Sequence, residues 1–332
     1  MDAQQRKLSV AKLSVISNGL LVILKLIVGL AIGSVSVLSE AIHSGMDLIA
    51  SLIAAFSVRT SSIPADISHP FGHGKVENIS GTIEALLIFL AAGWIIFEAT
   101  GKLLIPQPIE YVGWGVVVML FSTVINIIVS ERLFTVGRET DSIALQADGW
   151  HLRTDVYTSA AVMASLAVIW LGHQFFPDPN VHWLDPVAAL VVALLILRAA
   201  YRLTVQSARD LMDVKLPAEE ETWVRQLIMT RRDTIRGYHH LRTRKSGNYR
   251  FVEFHIKVDE KMSVEASHRI TKELKANIQK RFPDASVTIH VEPCDGNCLD
   301  DCLGGCLITA EERNRRYGKG LYEAGQEASG HS

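Results

Sequence analysis

Residues 35–57 read VSVLSEAIHSGMDLIASLIAAFS, a run of bilayer length that nevertheless carries His43 and Asp47 inside it. A hydrocarbon core takes roughly 20 predominantly apolar residues of helix, and ionisable groups at that depth are costly and kept for use. The run is therefore read as a membrane helix built around a functional site. Five further stretches of comparable character, residues 13–32, 79–103, 111–130, 143–176 and 184–203, make six transmembrane helices in all.

Composition agrees. The chain has 332 residues, 48% hydrophobic and 20% charged, against about 25% charged in soluble domains, and its mean hydropathy is +0.21. Charge is sparse between residues 13 and 203 and dense from Arg209 onward, so a lipid-embedded part precedes a water-exposed one. A net charge of -2 leaves no basic footprint, which disfavours nucleic acid as a partner. All four cysteines lie within residues 294–306, so no disulfide framework staples the body.

The first span follows Arg6, Lys7 and Lys12 but lacks a small-residue cleavage site, and a second span follows at once, which reads as a retained helix and not a signal peptide. The N-terminal stretch, the second loop (Arg59, Lys75) and the fourth loop (Arg132, Arg138) hold seven Lys and Arg residues. Lys102 stands alone in the alternate loops. The positive-inside bias then puts both termini in the cytoplasm. Lys25, inside the first span, is close enough to its outer end to snorkel there as a structural lysine.

Beyond residue 207 the pattern changes. Pro217 opens a helix over 218–230, followed by a strand over 235–244, a Ser246-Gly247-Asn248 turn and an alternating strand over 249–258. An amphipathic helix over 264–282 and a strand over 286–292 complete an α-β-β-α-β order, which predicts a compact α+β domain of ferredoxin-like type. The expected organisation is a six-helix transmembrane domain (1–207), a cytosolic α+β domain (208–293) and a flexible Cys-containing tail (294–332) rich in Gly and charge.

The sharpest chemical signal is a repeated spacing. His43 and Asp47 stand four apart in the second span, and His151 and Asp155 stand four apart in the fifth, so each pair shares one helical face. At 1.5 Å per residue the antiparallel helices bring both pairs to about 12 to 18 Å from opposite membrane faces, where they can meet. Two imidazoles and two carboxylates suit tetrahedral zinc, and the two negative charges cancel those of the ion. Mg²⁺ would prefer oxygen donors alone. Alternatively, each pair is an internal hydrogen bond that satisfies a buried polar face, although two pairs at matching depth favour metal. Glu40, one turn from His43, is either an entry carboxylate or a solvated, helix-capping group.

These residues, with the loop His69-Pro70-Phe71-Gly72-His73-Gly74-Lys75 and the segment His240-Leu241-Arg242-Thr243-Arg244, resemble the cation diffusion facilitator family, and within it the bacterial zinc-exporting branch. The resemblance implies a homodimeric antiporter of the bacterial cytoplasmic (inner) membrane that exports a divalent cation in exchange for protons. It implies Zn²⁺ as substrate and regulatory ligand, with no organic cofactor and no enzymatic activity. It makes His43, Asp47, His151 and Asp155 the transport site. That branch has aspartate where this chain has His43, and other zinc-selective members have histidine, so zinc is favoured over a broad metal range.

The resemblance also maps a second site onto Asp66, His69 and His73, and a dinuclear cytosolic site onto His239, His255, His268, His290 and Glu292, where the branch has aspartate at the last position. Taken without the resemblance, these are solvated loop histidines and surface histidines of a small domain. His240 is an additional candidate. Lys75 and Asp213 map onto a salt bridge that clamps the dimer.

Two other functions remain open from the sequence: export of Fe²⁺, Co²⁺ or Cd²⁺, which share these ligands, and a membrane-anchored metal sensor. A sensor without transport has no need of paired intramembrane ligands. Finally, Cys294, Cys298, Cys302 and Cys306 repeat a C-x-x-x-C spacing in a reducing compartment, where they read either as a metal-capturing tail or as incidental cysteines.

Overall fold

A computed structural model describes residues 3–32, 35–104, 113–175, 183–296 and 300–317. The chain divides into two compact units, residues 1–212 and 213–332. The boundary falls five residues later than the 207/208 junction expected from composition, because helical hydrogen bonding in α6 continues to Leu211 after the apolar run has ended.

The first unit is a bundle of six long helices: α1 (Ala3–Ile32), α2 (Val35–Ser61), α3 (Lys75–Leu104), α4 (Gly113–Glu139), α5 (Ile143–Phe175) and α6 (Leu184–Leu211). Among the described residues, five of them are long and apolar enough to cross a membrane. α5 carries Asp148, His151, Arg153 and Asp155 in its first half. α1 packs mainly on α2, α3 on α6 and α4 on α5, with α2, α3 and α6 also meeting α5. Small residues make the close approaches: a Cβ at Gly81 would lie 2.7 Å from Ile143 Cγ2 and 2.8 Å from Ser207 Oγ. Leu20, Leu30, Leu90 and Phe97 are exposed on the outside of the bundle, as lipid-facing positions require.

Lys7 and Glu77 are almost completely buried and lie 2.8 Å apart. Ser61 and Ser142 donate to the two carboxylate oxygens at 2.9 and 2.5 Å, tying α1, α2, α3 and the start of α5 together. Removing one partner of such a pair strands a buried charge.

The second unit has the order α7 (Ala218–Met229), β1 (Gly237–Ser246), β2 (Tyr249–Asp259), α8 (Val264–Arg281) and β3 (Ser286–Cys294), which is the α-β-β-α-β arrangement expected from the sequence. β1 pairs antiparallel with β2, and β2 pairs parallel with β3 after the α8 crossover. Gly247 takes φ 59 in the hairpin turn, a value that suits glycine. Ser263 caps α8 by accepting from the Ala266 amide at 3.2 Å. One sheet face, with Val252, Phe254, Ile256 and Val287, packs with Val224, Ile228, Leu274 and Ile278 of the two helices into a single core. The strand period of two then sends His255 and His290 to the opposite face.

Over residues 300–317 the segment after β3 is folded, unlike the flexible tail expected from its composition. Residues 300–317 form α9 (Asp300–Leu303) and α10 (Ala310–Tyr317) and fold back on β1. Tyr238 N–H donates to Gly305 O at 3.0 Å and Leu307 N–H to Arg236 O at 2.9 Å, while Leu307 packs on the core. The physical reason is the free edge of β1: an unpaired strand edge takes a cover when one is tethered nearby. Residues 318–332 lie outside the described part.

Two outcomes follow. Lys7→Met should cost about 3–5 kcal/mol by stranding Glu77, seen as a lower melting temperature in detergent, and Lys7→Met with Glu77→Leu should recover much of it. A single variant that melts like the wild type would contradict the pairing. Gly305→Ala should release the returning segment, because the new Cβ would sit 1.7 Å from Tyr238 O. Faster tryptic cleavage at Arg313, Arg315 and Arg316 reports that release, and unchanged cleavage would argue against the latch.

Candidate metal centre

The i, i+4 spacing places His43 and Asp47 on one face of α2 and His151 and Asp155 on one face of α5, and the two faces meet. The pairs cross: His151 Nε2 lies 3.0 Å from Asp47 Oδ1, and His43 Nε2 lies 3.5 Å from Asp155 Oδ1. Donor atoms of His43, Asp47 and Asp155 all fall within 4.8 Å of one another. Two donors on a tetrahedral ion at about 2.1 Å are about 3.4 Å apart, so the set is close to the size that zinc needs. Asp155 Oδ2 and His151 Nδ1 are buried with no hydrogen-bond partner in the protein, which leaves both groups with unused capacity.

The site opens into a cavity of about 120 Å³ between α1, α2, α4 and α5. Besides His43, Asp47 and Asp155 it is lined by Ser122, Thr123 and Asn126 of α4 and Thr158 and Ser159 of α5. Lys25 also lines it. Its Nζ does not reach for the outer surface, as the sequence suggested, but lies 3.1 Å from Glu40 Oε2 and donates to Ser44 Oγ at 2.8 Å. Glu40 is accordingly an ion-pair partner at the cavity. Both groups are visible in the sequence as charges within or beside a span, but their meeting depends on how α1 packs against α2.

Glu84 of α3 and Asp148 of α5 escaped the sequence reading as site residues. Both are fully buried, Glu84 accepts from Ser80 Oγ at 3.2 Å, and Glu84 Oε2 has no partner. A charged residue midway along an apolar run was the available signal.

The loop between α2 and α3 assembles Asp66, His69 and His73. His69 Nδ1 lies 3.2 Å and His73 Nε2 3.4 Å from the Asp66 carboxylate, and the two imidazole centroids are 4.2 Å apart. The turn that does this uses Gly72 at φ 78, with its N–H donating to His69 O at 2.9 Å. The His69 amide, donating to Asp66 Oδ1 at 2.6 Å, holds that carboxyl below its usual range.

On the open face of the sheet, parallel pairing of His255 with His290 and antiparallel pairing of His239 with His255 bring three strands' histidines together. His239, His255 and Glu292 place one donor atom each within 4.8 Å of one another. His255 Nδ1 is 2.8 Å, His239 Nε2 3.4 Å and His290 Nε2 3.7 Å from the Glu292 carboxylate. Burial alone would raise the Glu292 carboxyl, but contacts from Lys257 at 2.9 Å and from His255 bring it down to about 2. Burial pushes His239 below its ordinary value against the pull of Glu292, and His240, His255 and Lys257 add to that effect. Both shifts favour the protonation states that bind metal.

His268 is exposed near the start of α8 and belongs to no such cluster among the described residues. Lys75 Nζ donates to Leu211 O at 3.4 Å, and Asp213 lies 3.4 Å from Arg244 Nη1. Cys294 is buried, Cys302 and Cys306 are half-buried, and Cys306 is held by its bridge to Gly237. No cysteine joins a candidate metal group among the described residues, and Cys298 lies outside them.

Ionisable ligands at bilayer depth and histidine clusters on an appended α+β domain define a membrane cation transporter. The chain belongs to the cation diffusion facilitator family. The family model for the cation efflux transmembrane domain matches residues 11–212, and that for the cation efflux protein cytoplasmic domain, a dimerisation module, matches residues 216–294. The transporter sll1263 of Synechocystis is 33% identical over 263 residues, spanning 79% of this chain and 83% of its own. The cation-efflux pump FieF of Citrobacter koseri is 32% identical over 275 residues, spanning 83% and 89%. Among solved structures, the Zn form of CzrB is 38% identical, covering 25% of this chain and 93% of that one, with a TM-score of 0.24. The chain is thus a multi-pass cation efflux transporter.

The depressed His239 has a pH consequence. The unfolded chain takes up this proton near the ordinary value of about 6.5, whereas the folded domain resists it, so stability is fully present above that pH and declines as pH falls below it. With the intrinsic exchange rate at each pH divided out, amide protection of β1 and β2 in chelator should be lower at pH 5.5 than at pH 7.5, and His239→Gln should shrink the difference. An undiminished difference would assign the effect elsewhere.

Proposed function

We propose that the protein exports Zn²⁺ from the cytoplasm in exchange for protons, as a homodimer in the bacterial inner membrane with both termini inside. The observation that carries this reading is the crossed set of His43, Asp47, His151 and Asp155. Zinc needs neutral imidazole and ionised carboxylate, so metal and protons compete for the same atoms, and loading one releases the other. An ordinary imidazole titrates near 6.5, between cytoplasmic pH and an acidified exterior. Zinc therefore loads from the inside, and protons arriving from the outside displace it. The two carboxylates offset the ion's charge in the low-dielectric interior.

The Asp66, His69 and His73 trio acts as an accessory site on the cytoplasmic side, and the His239, His255, His290 and Glu292 cluster as a zinc-sensing site in the dimerisation domain. His268 completes that site on domain closure, and the Lys75 and Asp213 pair clamps the dimer. Identity with FieF pumps over most of the chain supports efflux as the direction of transport.

The test is zinc and proton flux in proteoliposomes under an imposed pH gradient, with Fe²⁺, Co²⁺ and Cd²⁺ measured alongside. Wild type should move zinc in one direction and protons in the other. Asp47→Ala or Asp155→Ala should abolish both while the dimer stays intact by size exclusion. Near wild-type flux in either variant would overturn the site, and faster flux of another ion would overturn zinc.

A further inference from the structure

We infer that His240 is a metal ligand, which joins His239 and His255 to form a three-imidazole face closed by the Glu292 carboxylate. The inference rests on the reading of the C-terminal cluster as a zinc-sensing site and adds to it a ligand and a selectivity.

The first observation is a break in strand periodicity. In a regular β1 strand, with Tyr238 in the core and His239 on the open face, His240 would point back into the core. It does not, because β1 has a bulge here: the register runs His239 to His255 and then Arg242 to Glu253, so His240 and Leu241 together oppose Phe254 alone. The extra residue turns His240 outward on the same side as His239 and lets Leu241 pack against the core in its place.

The second observation is the backbone cost of this arrangement. His240 has φ 50, one of three non-glycine residues with positive φ among the described residues. Left-handed backbone at a non-glycine residue is unfavourable and concentrates at ligand sites. A glycine or asparagine would serve the bulge more easily, so the imidazole is what the position retains.

The third is ring geometry. Centroids of His239 and His240 are 4.8 Å apart, of His240 and His255 5.2 Å, and of His239 and His255 5.1 Å. Two imidazoles on one tetrahedral ion at about 2.1 Å hold their centroids about 5 Å apart. All three pairs have that spacing, and their planes are turned 61 to 74° from each other, so the rings do not stack. The donor set that already lies within 4.8 Å is His239, His255 and Glu292, and a turn of the exposed His240 ring brings its nitrogen into that set on metal binding. His239, whose side chain is only 8% exposed, has a buried Nδ1 with no hydrogen-bond partner. Glu292 supplies the fourth donor. Lys257, 2.9 Å from its Oε2, holds the carboxylate's charge until an ion displaces the ammonium.

Three imidazoles and one carboxylate match a zinc-type donor set and disfavour hard ions such as Mg²⁺ and Mn²⁺, which take oxygen. The sensing site then reports zinc more selectively than a carboxylate-rich cluster would.

The experiment is zinc titration of the full chain in detergent against a chromophoric chelator. The background carries Asp47→Asn, Asp155→Asn and Asp66→Asn, which disable the transport and loop sites. His240→Gly keeps the backbone conformation and removes only the ring, so its metal-free melting temperature should equal or exceed that of the background. Its zinc affinity should fall at least tenfold, and its preference for zinc over Mn²⁺ should narrow. His255→Ala is the control for the underlying reading. If His255→Ala loses zinc while His240→Gly binds as before, His240 is not a ligand and this inference fails alone. If neither change alters binding, the cluster is not a metal site and the reading beneath it fails.

Discussion

Burying two carboxylates in a membrane bundle is tolerable only if each meets a group that can answer its charge, and the contact of α2 with α5 is organised by that demand. Asp47 meets His151 and Asp155 meets His43, so each acid is held by the other helix's imidazole. The crossing fixes the depth at which α2 and α5 face each other, because sliding either helix by one turn, about 5.4 Å, would separate both pairs at once. It also makes the site responsive, since an ion that takes the carboxylates must break both interhelical contacts. On the proposed function, the bonds that hold this helix contact together are those that the cargo replaces.

The rest of the first unit isolates that exchange. Two buried lysines within the bundle are answered by an acid: Lys7 by Glu77 at one end and Lys25 by Glu40 beside the cavity. Beside Met119, the pocket wall contributed by α4 presents hydroxyls and an amide, from Ser122, Thr123 and Asn126, which can solvate an ion without competing for it as a strong ligand. Below the site Glu84 and Asp148 extend buried acidic character along α3 and α5. The second unit uses a different principle. Its histidines stand on a sheet whose register is fixed by a hydrophobic core on the opposite face, so ligand positions there follow from strand pairing and not from helix contact.

The sequence revealed what depends on local pattern. Apolar run length exposed the six helices, and a spacing of four exposed both His and Asp pairs. Helix ends were less legible, because backbone hydrogen bonding in α1 and α6 carries on through Lys7 and Arg209 after lipid no longer requires it. Features that depend on distant partners were not legible. Lys25 could be seen as a charge inside a span, but its turn toward Glu40 and Ser44 is a product of packing. The cover on β1 was hidden because Gly, Asp and Cys dominate residues 295–306, while the anchoring signal is only Leu307 and Ile308 next to an edge that is itself nonlocal. His240 could be named as a candidate, yet strict alternation would have turned it into the core, and only the bulge shows otherwise.

The most direct measurement of the central claim is zinc K-edge X-ray absorption on a chain whose loop and C-terminal histidines have been replaced, leaving the intramembrane set as the zinc site. The account predicts a four-coordinate shell at about 2.0–2.1 Å with two imidazoles, and loss of one imidazole when His43 or His151 is changed to Ala. A six-coordinate, all-oxygen shell, or a spectrum indifferent to both changes, would contradict it.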